Sequence, residues 1–527
     1  MNMKKVLPKL LIVLFVVAFG FLCAFTGDIT APNATLWSLY PPVIAIGLAL
    51  ITKEVYSSLF VGILAGGLLY TQFTPIKTVD ALINEGLIPA VSGTAGIFIF
   101  LVLLGVIVAL LNKAGGSKAF GEWAAKHVKS KVGASLATFA FGVLIFIDDY
   151  FNCLTVGAVM RPVTDQAKIS RSKLAYLIDA TAAPVCMIAP ISSWAAAVAS
   201  YAGEGQGGIA LFCQAIPYNL YSLMTFVFII AITLMKFDYG PMRLHEMNAE
   251  KGDLFTGGEI AANDEDEPST GKAKVIDLIL PILALIGICV YALYYVGKTE
   301  AGMNFIDAFS NTDATVGLPW GGLIALVAVM IYFIARRLLT FKEAMECVPK
   351  GFIAMVPAIL ILTMATSLKN MTGLLGSDVF VDNALSNAGM LNHFLPAIIF
   401  LCACGISFAT GTSWGTFGIL IPIVLTAFGV ETEMGIICMS ACLAGSVCGD
   451  HCSPISDTTI MSSAGARCDH INHVSTQLPY AMTVAGISLA GYLLAGFVQN
   501  VYIVLAFSAV LTVGTLFVIK MLNKKKV

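Results

Sequence analysis

Leu10–Thr26, Ser92–Asn112, Gly317–Ala335 and Val474–Ile519 carry no charged side chain at all. A helix needs about 20 apolar residues to cross a hydrocarbon core. Lipid satisfies no backbone hydrogen bond, so such segments are expected to be helical. With 58% hydrophobic and 12% charged residues, the composition excludes an ordinary soluble domain. The chain reads as an all-α polytopic membrane protein. Twelve spans are expected near 8–26, 36–52, 56–71, 92–112, 173–203, 208–235, 276–297, 317–335, 352–370, 434–466, 474–498 and 501–520. The run after Lys4, Lys5 and Lys9 is long for a cleaved signal and is read as the first span.

Two segments do not fit a single crossing. Val132–Pro162 carries Asp148, Asp149 and Asn152 near its middle. The 37 residues between His393 and Glu431 are uncharged but broken by Ala409-Thr410-Gly411-Thr412-Ser413. Each is read as a re-entrant hairpin with a polar tip. Lysines and arginines favour the cytoplasmic side. Lys126, Lys129 and Lys131 precede the first hairpin, and Arg161, Lys168 and Arg171 follow it, so it enters from the cytoplasm. The second is flanked by His393, Glu431 and Glu433, so it enters from outside. Arg467 and the terminal Lys524, Lys525 and Lys526 then fall inside, and both termini are cytoplasmic.

Two further stretches interrupt apolar segments. Gly449–Thr459 reads GDHCSPISDTT and breaks the segment 434–466; Ala183–Trp194 breaks 173–203. Charge at bilayer depth is expensive, so Asp450 and Asp457 must face protein or a cavity. The motifs recur in order. Pro41-Pro42-Val43 resembles Leu280-Pro281-Ile282, and Asn112-Lys113-Ala114-Gly115 resembles Asn370-Met371-Thr372-Gly373. Arg161-Pro162-Val163 resembles Ile421-Pro422-Ile423, and Pro190-Ile191-Ser192 resembles Pro454-Ile455-Ser456. With matching elements in opposite orientations, this is an inverted-topology repeat, whose site lies where the repeats meet.

The expected organisation is an extra span in 1–35 and repeat one in 36–235, with its hairpin at about 132–162 and broken helix at about 173–203. A cytoplasmic acidic linker, 236–274, contains Asn263–Glu267. Repeat two covers 275–498, with its hairpin at about 393–431 and broken helix at about 434–466, and 499–527 forms a last span with a basic tail.

Four breaks should therefore converge, and their residues are rich in the oxygens a hard cation needs. The candidate cation and proton site comprises Asp148, Asp149, Asn152, Thr410, Thr412, Ser413, Asp450, Ser453, Ser456, Asp457 and Thr458, with sodium itself placed at Asp149, Asn152, Ser456 and Asp457. A buried carboxylate that trades a proton for a metal ion is the minimum machinery of exchange. Asp148, Asp149 and Asp457 also suit capping, which is compatible with coordination. Tyr150, Ser192, Ser193, Trp194 and Trp414 crowd the same breaks. They read either as packing or as the wall of an organic-solute pocket. Asp179 has no acidic counterpart in the other half, and Lys369 is expected to snorkel from the end of its span.

No nucleophile–base pair or zinc-ligand spacing appears, so no enzyme and no cofactor is expected; the 13 cysteines are odd in number and mostly apolar in context. Net charge of −2 suggests no nucleic-acid partner. The string GDHCSPISDTT, with the hairpin and repeat pattern, resembles the NhaC-type sodium/proton antiporter family of the ion-transporter superfamily. The resemblance runs from about Leu36 to Asn500. It implies a bacterial inner-membrane transporter exchanging Na+ for H+ by alternating access. Some relatives of similar sequence move organic acids or amino acids with coupled ions, so a coupled transporter of a small organic solute is the alternative. Lipid, Na+, H+, possible solute and a homodimeric second copy are the expected partners.

Overall fold

Helices start where the sequence supplies an oxygen to cap them. In this computed structural model, Ser130 accepts from the Gly133 amide at 3.0 Å, Ser170 from Lys173 at 3.1 Å, Asn219 from Ser222 at 3.2 Å and Thr432 from Gly435 at 3.0 Å. Each oxygen satisfies an amide that has no partner inside its helix. Thr340 and Glu343 cap reciprocally at the start of Phe341–Leu374. The structure describes residues 3–52, 54–128, 130–202, 208–256, 272–298, 303–305, 308, 312–377, 379–380, 383, 389–428, 432–454 and 456–524. The acidic run Asn263–Glu267 and the flanking Glu431 lie outside them.

The described residues form helices and turns without a strand. Among the described residues, eight helices are long and apolar enough to cross a membrane, including Ile276–Gly297, Phe341–Leu374, Glu433–Cys452 and His470–Val498. Gly208–Tyr218 and Leu220–Met235, bent by 47°, make a ninth if taken together. Twelve were expected from uncharged runs. The difference arises because uncharged sequence does not guarantee one continuous helix. The expected spans 36–52 and 56–71 hold the short helices Tyr40–Thr52 and Val55–Tyr70, the second capped by Glu54 at the Ser57 amide. At 1.5 Å per residue neither covers a full hydrocarbon core alone.

The anticipated interruptions fall where the sequence placed them. Lys131–Leu144 and Asp149–Gln166 flank one, and Leu395–Thr410 and Ser413–Phe428 another. Arg171–Cys186 and Ser193–Ala202 flank the third, and Glu433–Cys452 and Asp457–Ala466 the fourth. The two broken helices are the centre of the molecule. Every residue is buried from Ser172 to Cys186 and from Gly435 to Cys452. The peripheral helix Val501–Lys524 instead exposes Tyr502, Val510, Phe517 and Leu522. That is the pattern of a protein whose outer shell meets hydrocarbon.

Candidate functional site

Asp457 opens the half-helix Asp457–Ala466, and Ser456 before it caps that helix, accepting from the Thr459 amide at 3.1 Å. The first interruption is capped the same way: Asp148 accepts from the Phe151 amide at 3.0 Å. The expected cap at Asp148 is thus present, whereas at the second break Ser456 takes the capping role expected of Asp457, which stands one residue inside the helix.

Four contacts join the breaks. Tyr150 donates its hydroxyl hydrogen to Asp457 Oδ2 at 2.7 Å. The Asp457 amide donates to the Gly411 carbonyl at 3.3 Å. The Ser193 amide donates to the Ile147 carbonyl at 2.9 Å. The Trp414 indole N–H points at Asp149 Oδ2 from 3.4 Å. Residues 145–150, 193, 411–414 and 456–457 therefore meet. Gly411 permits the turn between its two helices, with φ at +71°, a left-handed conformation that side chains disfavour. Gly465 lies so close to the helix Asp149–Gln166 that an added Cβ would stand 2.5 Å from the Cys153 carbonyl oxygen.

The carboxylates are graded in exposure. Asp149, Asp450 and Asn152 are fully buried, and Asp148 almost so; Asp457 and Tyr150 are half-buried, and Pro454 is exposed. Asp450 Oδ2 accepts from Thr458 Oγ1 at 2.7 Å, and Thr458 Oγ1 lies 3.2 Å from Ser456 Oγ. Asp450 Oδ1 has no hydrogen-bond partner among the described residues. Asn152 is held by both amide hydrogens, given to the Gly142 and Ile145 carbonyls at 2.8 Å each, which aims its oxygen elsewhere; Oδ1 also has no described partner. Unpaired buried acceptors cost stability and point to something that arrives to use them. No three His, Cys, Asp or Glu side chains converge on a metal position among the described residues. A cation here would have to be shared by carboxylate, amide and hydroxyl oxygens, as the notional set Asp149, Asn152, Ser456 and Asp457 requires.

Other expected residues are locally engaged. Thr410 donates to the Ile406 carbonyl at 2.9 Å, and Thr412 accepts from the Gly415 amide at 3.3 Å. Ser413 is buried at the start of its helix, and Ser453 donates to the Phe408 carbonyl at 2.8 Å. Ser192 caps Ser193–Ala202 at the Ala195 amide, 3.1 Å away, and donates to the Cys186 carbonyl at 2.6 Å. Trp194 packs against Trp414, with ring centres 5.4 Å apart, and against Phe417 at 4.7 Å. The Ser193 hydroxyl and the Trp194 indole N–H are buried and face the Asp148 and Asp149 carboxylates without reaching ordinary hydrogen-bond geometry. Lys369 does not merely reach toward water: it donates to the Tyr201 carbonyl at 2.7 Å.

A second polar cluster was only partly foreseen. Asp179 accepts from Thr459 Oγ1 at 2.9 Å, Gln477 Nε2 at 2.6 Å and Ser462 Oγ at 3.3 Å, and His473 Nε2 stands 3.4 Å away. Gln477 also donates to the His451 carbonyl at 2.9 Å. The His451 ring meets Tyr221 at 3.1 Å rather than a carboxylate. Asp179 thus ties both broken helices to His470–Val498. Gln477 and His473 could have been flagged as polar residues beside and within an apolar run.

Buried acidic breaks inside a bundle of apolar helices define a multi-pass membrane protein. The chain belongs to the Na+/H+ antiporter family, whose model matches residues 201–497. It is a membrane transporter and not an enzyme. It is 36% identical over 508 residues to an uncharacterized protein of Haemophilus influenzae, covering 93% of this chain and 96% of that one. Shorter matches are a malate-2H(+)/Na(+)-lactate antiporter of Bacillus subtilis, 32% identical over 20% of this chain and 23% of that protein, and the arginine/ornithine antiporter ArcD of Halobacterium salinarum, 34% identical over 20% and 23%. Among solved structures, the Alcanivorax borkumensis YdaH transporter aligns at 15% identity and a TM-score of 0.47, covering 79% of this chain and 88% of that one.

Proposed function

We propose that this transporter exchanges Na+ for H+ by alternating access in a bacterial inner membrane. The observation that carries this reading is the meeting of Asp457 with Tyr150 and with the Gly411 carbonyl. It joins an acidic half-helix start to both interrupted segments. A sodium ion entering there has carboxylate oxygen from Asp457 and Asp149, amide oxygen from Asn152 and hydroxyl oxygen from Ser456. Thr458 and Asp450 extend the oxygen set inward. Protons compete for the same carboxylates, which couples the two fluxes. The interrupted segments act as re-entrant hairpins of two inverted repeats, 36–235 and 275–498, with both termini cytoplasmic. The hairpin-bearing units move against the flanking spans, in monomers or homodimers.

A second reading has its own support. Trp194, Trp414 and Phe417 pack together beside the Ser193 hydroxyl and the Trp194 indole N–H, which face Asp148 and Asp149. Apolar walls with a few donors suit an organic acid or amino acid, and two partial relatives are named for such solutes. Liposomes with an imposed sodium gradient separate the readings. Internal pH is recorded alongside uptake of labelled carboxylates and amino acids. Sodium-driven alkalinisation or acidification without solute uptake supports simple antiport. Solute flux that Trp194→Ala removes, with sodium binding retained, supports the second reading.

A further inference from the structure

A cavity of about 790 Å3 opens where Leu220–Met235 and Val501–Lys524 end and Lys131–Leu144 begins. Charge dominates its lining. Five cations, Lys131, Lys173, Lys236, Arg243 and Lys520, face three carboxylates, Asp238, Glu246 and Glu250. The carboxylates are already claimed. Lys131 pairs with Glu246 at 2.8 Å and Glu250 at 3.0 Å, and Lys173 pairs with Asp238, which also accepts from Tyr480 at 2.6 Å. Lys236, Arg243 and Lys520 have no carboxylate partner among the described residues. Lys520 donates only to the Met235 carbonyl, at 2.7 Å, and lies 5.9 Å from the centre of the Phe237 ring. The side chain of Asn523 brings a buried, unpaired Nδ2 to the same lining.

The remaining wall mixes apolar Val132, Ile232, Phe237 and Met247 with the hydroxyl side chains Ser130, Ser135 and Thr233. Leu234, Leu244 and Met521 stand exposed nearby on the same helices. Cationic heads above an apolar, lipid-facing flank match the two ends of one molecule. We propose that the cavity binds the phosphate headgroup of an anionic phospholipid from the cytoplasmic leaflet, with Lys236, Arg243 and Lys520 as its partners. Basic pockets between helix ends on that side suit such headgroups. The position also gives the lipid a mechanical consequence. Lys131 starts an arm of the first hairpin and Lys173 lies in the first turn of a broken helix, while Lys236 and Lys520 end outer spans. A bound headgroup spans both sets. This depends on the membrane reading of the fold and not on Na+/H+ exchange.

The test is thermal unfolding of delipidated protein in detergent with added phosphatidylglycerol, phosphatidylcholine or inorganic phosphate. A ligand that binds the folded state raises the midpoint. Phosphatidylglycerol is expected to raise it by a few degrees, and the other two to leave it unmoved. Lys236 sits at φ +53°, so Lys236→Asn respects a conformation that asparagine tolerates. Lys236→Asn and Arg243→Gln, made separately, are each expected to weaken the phosphatidylglycerol effect while leaving any sodium-induced stabilisation in place. Equal effects of the two lipids, an equal effect of inorganic phosphate, or an undiminished response in both variants would overturn the proposal. So would a lipid response that emerges only after Asp264, Glu265, Asp266 and Glu267 are neutralised, since this chain's own acidic segment would then be the occupant.

Discussion

Tyr150 and Asp457 lie 307 residues apart in sequence, yet the phenol of one donates to the carboxylate of the other across 2.7 Å. The bond crosses from the first interrupted segment to the second broken helix. Any rearrangement that separates those elements must break it, so it is a candidate latch on ion access.

The latch and the charge it holds are separable. Asp457→Asn and Asp149→Asn remove the negative charge but keep a similar shape and are expected to abolish sodium-dependent flux while the protein still assembles. Tyr150→Phe keeps both carboxylates. It removes a hydrogen bond to a charged group, contributing about 1.5–3 kcal/mol, so apparent sodium affinity should change by roughly tenfold or more without loss of all flux. Flux assays in liposomes and size-exclusion profiles check the three variants together. Wild-type sodium dependence in both Asn variants would reduce the two aspartates to caps.

Gly465 tests the contact that seats the half-helix. Gly465→Ala places a methyl group 2.5 Å from the Cys153 carbonyl oxygen, a rigid backbone atom. Overpacking of this kind costs about 1–3 kcal/mol. Lower unfolding temperature and lower yield are expected, with sodium affinity falling alongside because Asp457 starts the displaced helix.

Asp179 is expected to matter for stability. Its carboxylate collects donors from Thr459, Ser462 and Gln477 and has no exposure to solvent. Asp179→Leu strands those donors, a loss on the order of 3 kcal/mol or more. Asp179→Asn keeps one acceptor and should lose less. A melt of the two variants that orders them the other way would contradict this assignment.

His245 gives a pH signature away from the membrane interior. It lies on the short polar helix Pro241–Glu250, and its ring nitrogen Nδ1 meets Ser172 Oγ at 3.0 Å. Burial holds its pKa below the usual 6.5, with Asp253 opposing weakly. The unfolded state therefore binds the proton first as pH falls. The stabilisation is complete above about pH 6.5 and is lost as pH drops through the lower folded value. Protection of the 241–250 amides, corrected for the intrinsic pH dependence of exchange, should fall as pH drops below 6.5, and His245→Gln should flatten that dependence.

Much of this was legible in the chain itself. Pro454 between Asp450 and Asp457, and Gly411 between two threonines, marked breaks because hydrocarbon leaves such residues no other explanation. Capping was legible at Asp148, while at the second break the cap proved to be Ser456 rather than Asp457. The span count was less accessible, since 36–52 and 56–71 read as spans by apolar character alone, whereas the helices Tyr40–Thr52 and Val55–Tyr70 are shorter than a hydrocarbon core requires. The cluster around Asp179 was hidden for a different reason. Its partners Thr459 and Gln477 are 280 and 298 residues away. Residue type shows that a buried carboxylate needs donors, but not which distant helix provides them. Tyr150 was grouped with a solute wall on its aromatic character, whereas its hydroxyl makes the contact that joins the breaks.

The Glu433–Cys452 helix, enclosed from Gly435 onward, has a consequence for sequence change. A span with one face in lipid accepts substitutions on a beat of 3.6 residues, because hydrocarbon is indifferent to which apolar side chain it meets. This helix has no such face. Saturation mutagenesis along it should show intolerance at consecutive positions, without rhythm. Its many alanines, serines, glycines and cysteines then read as a record of neighbours pressing in from every direction.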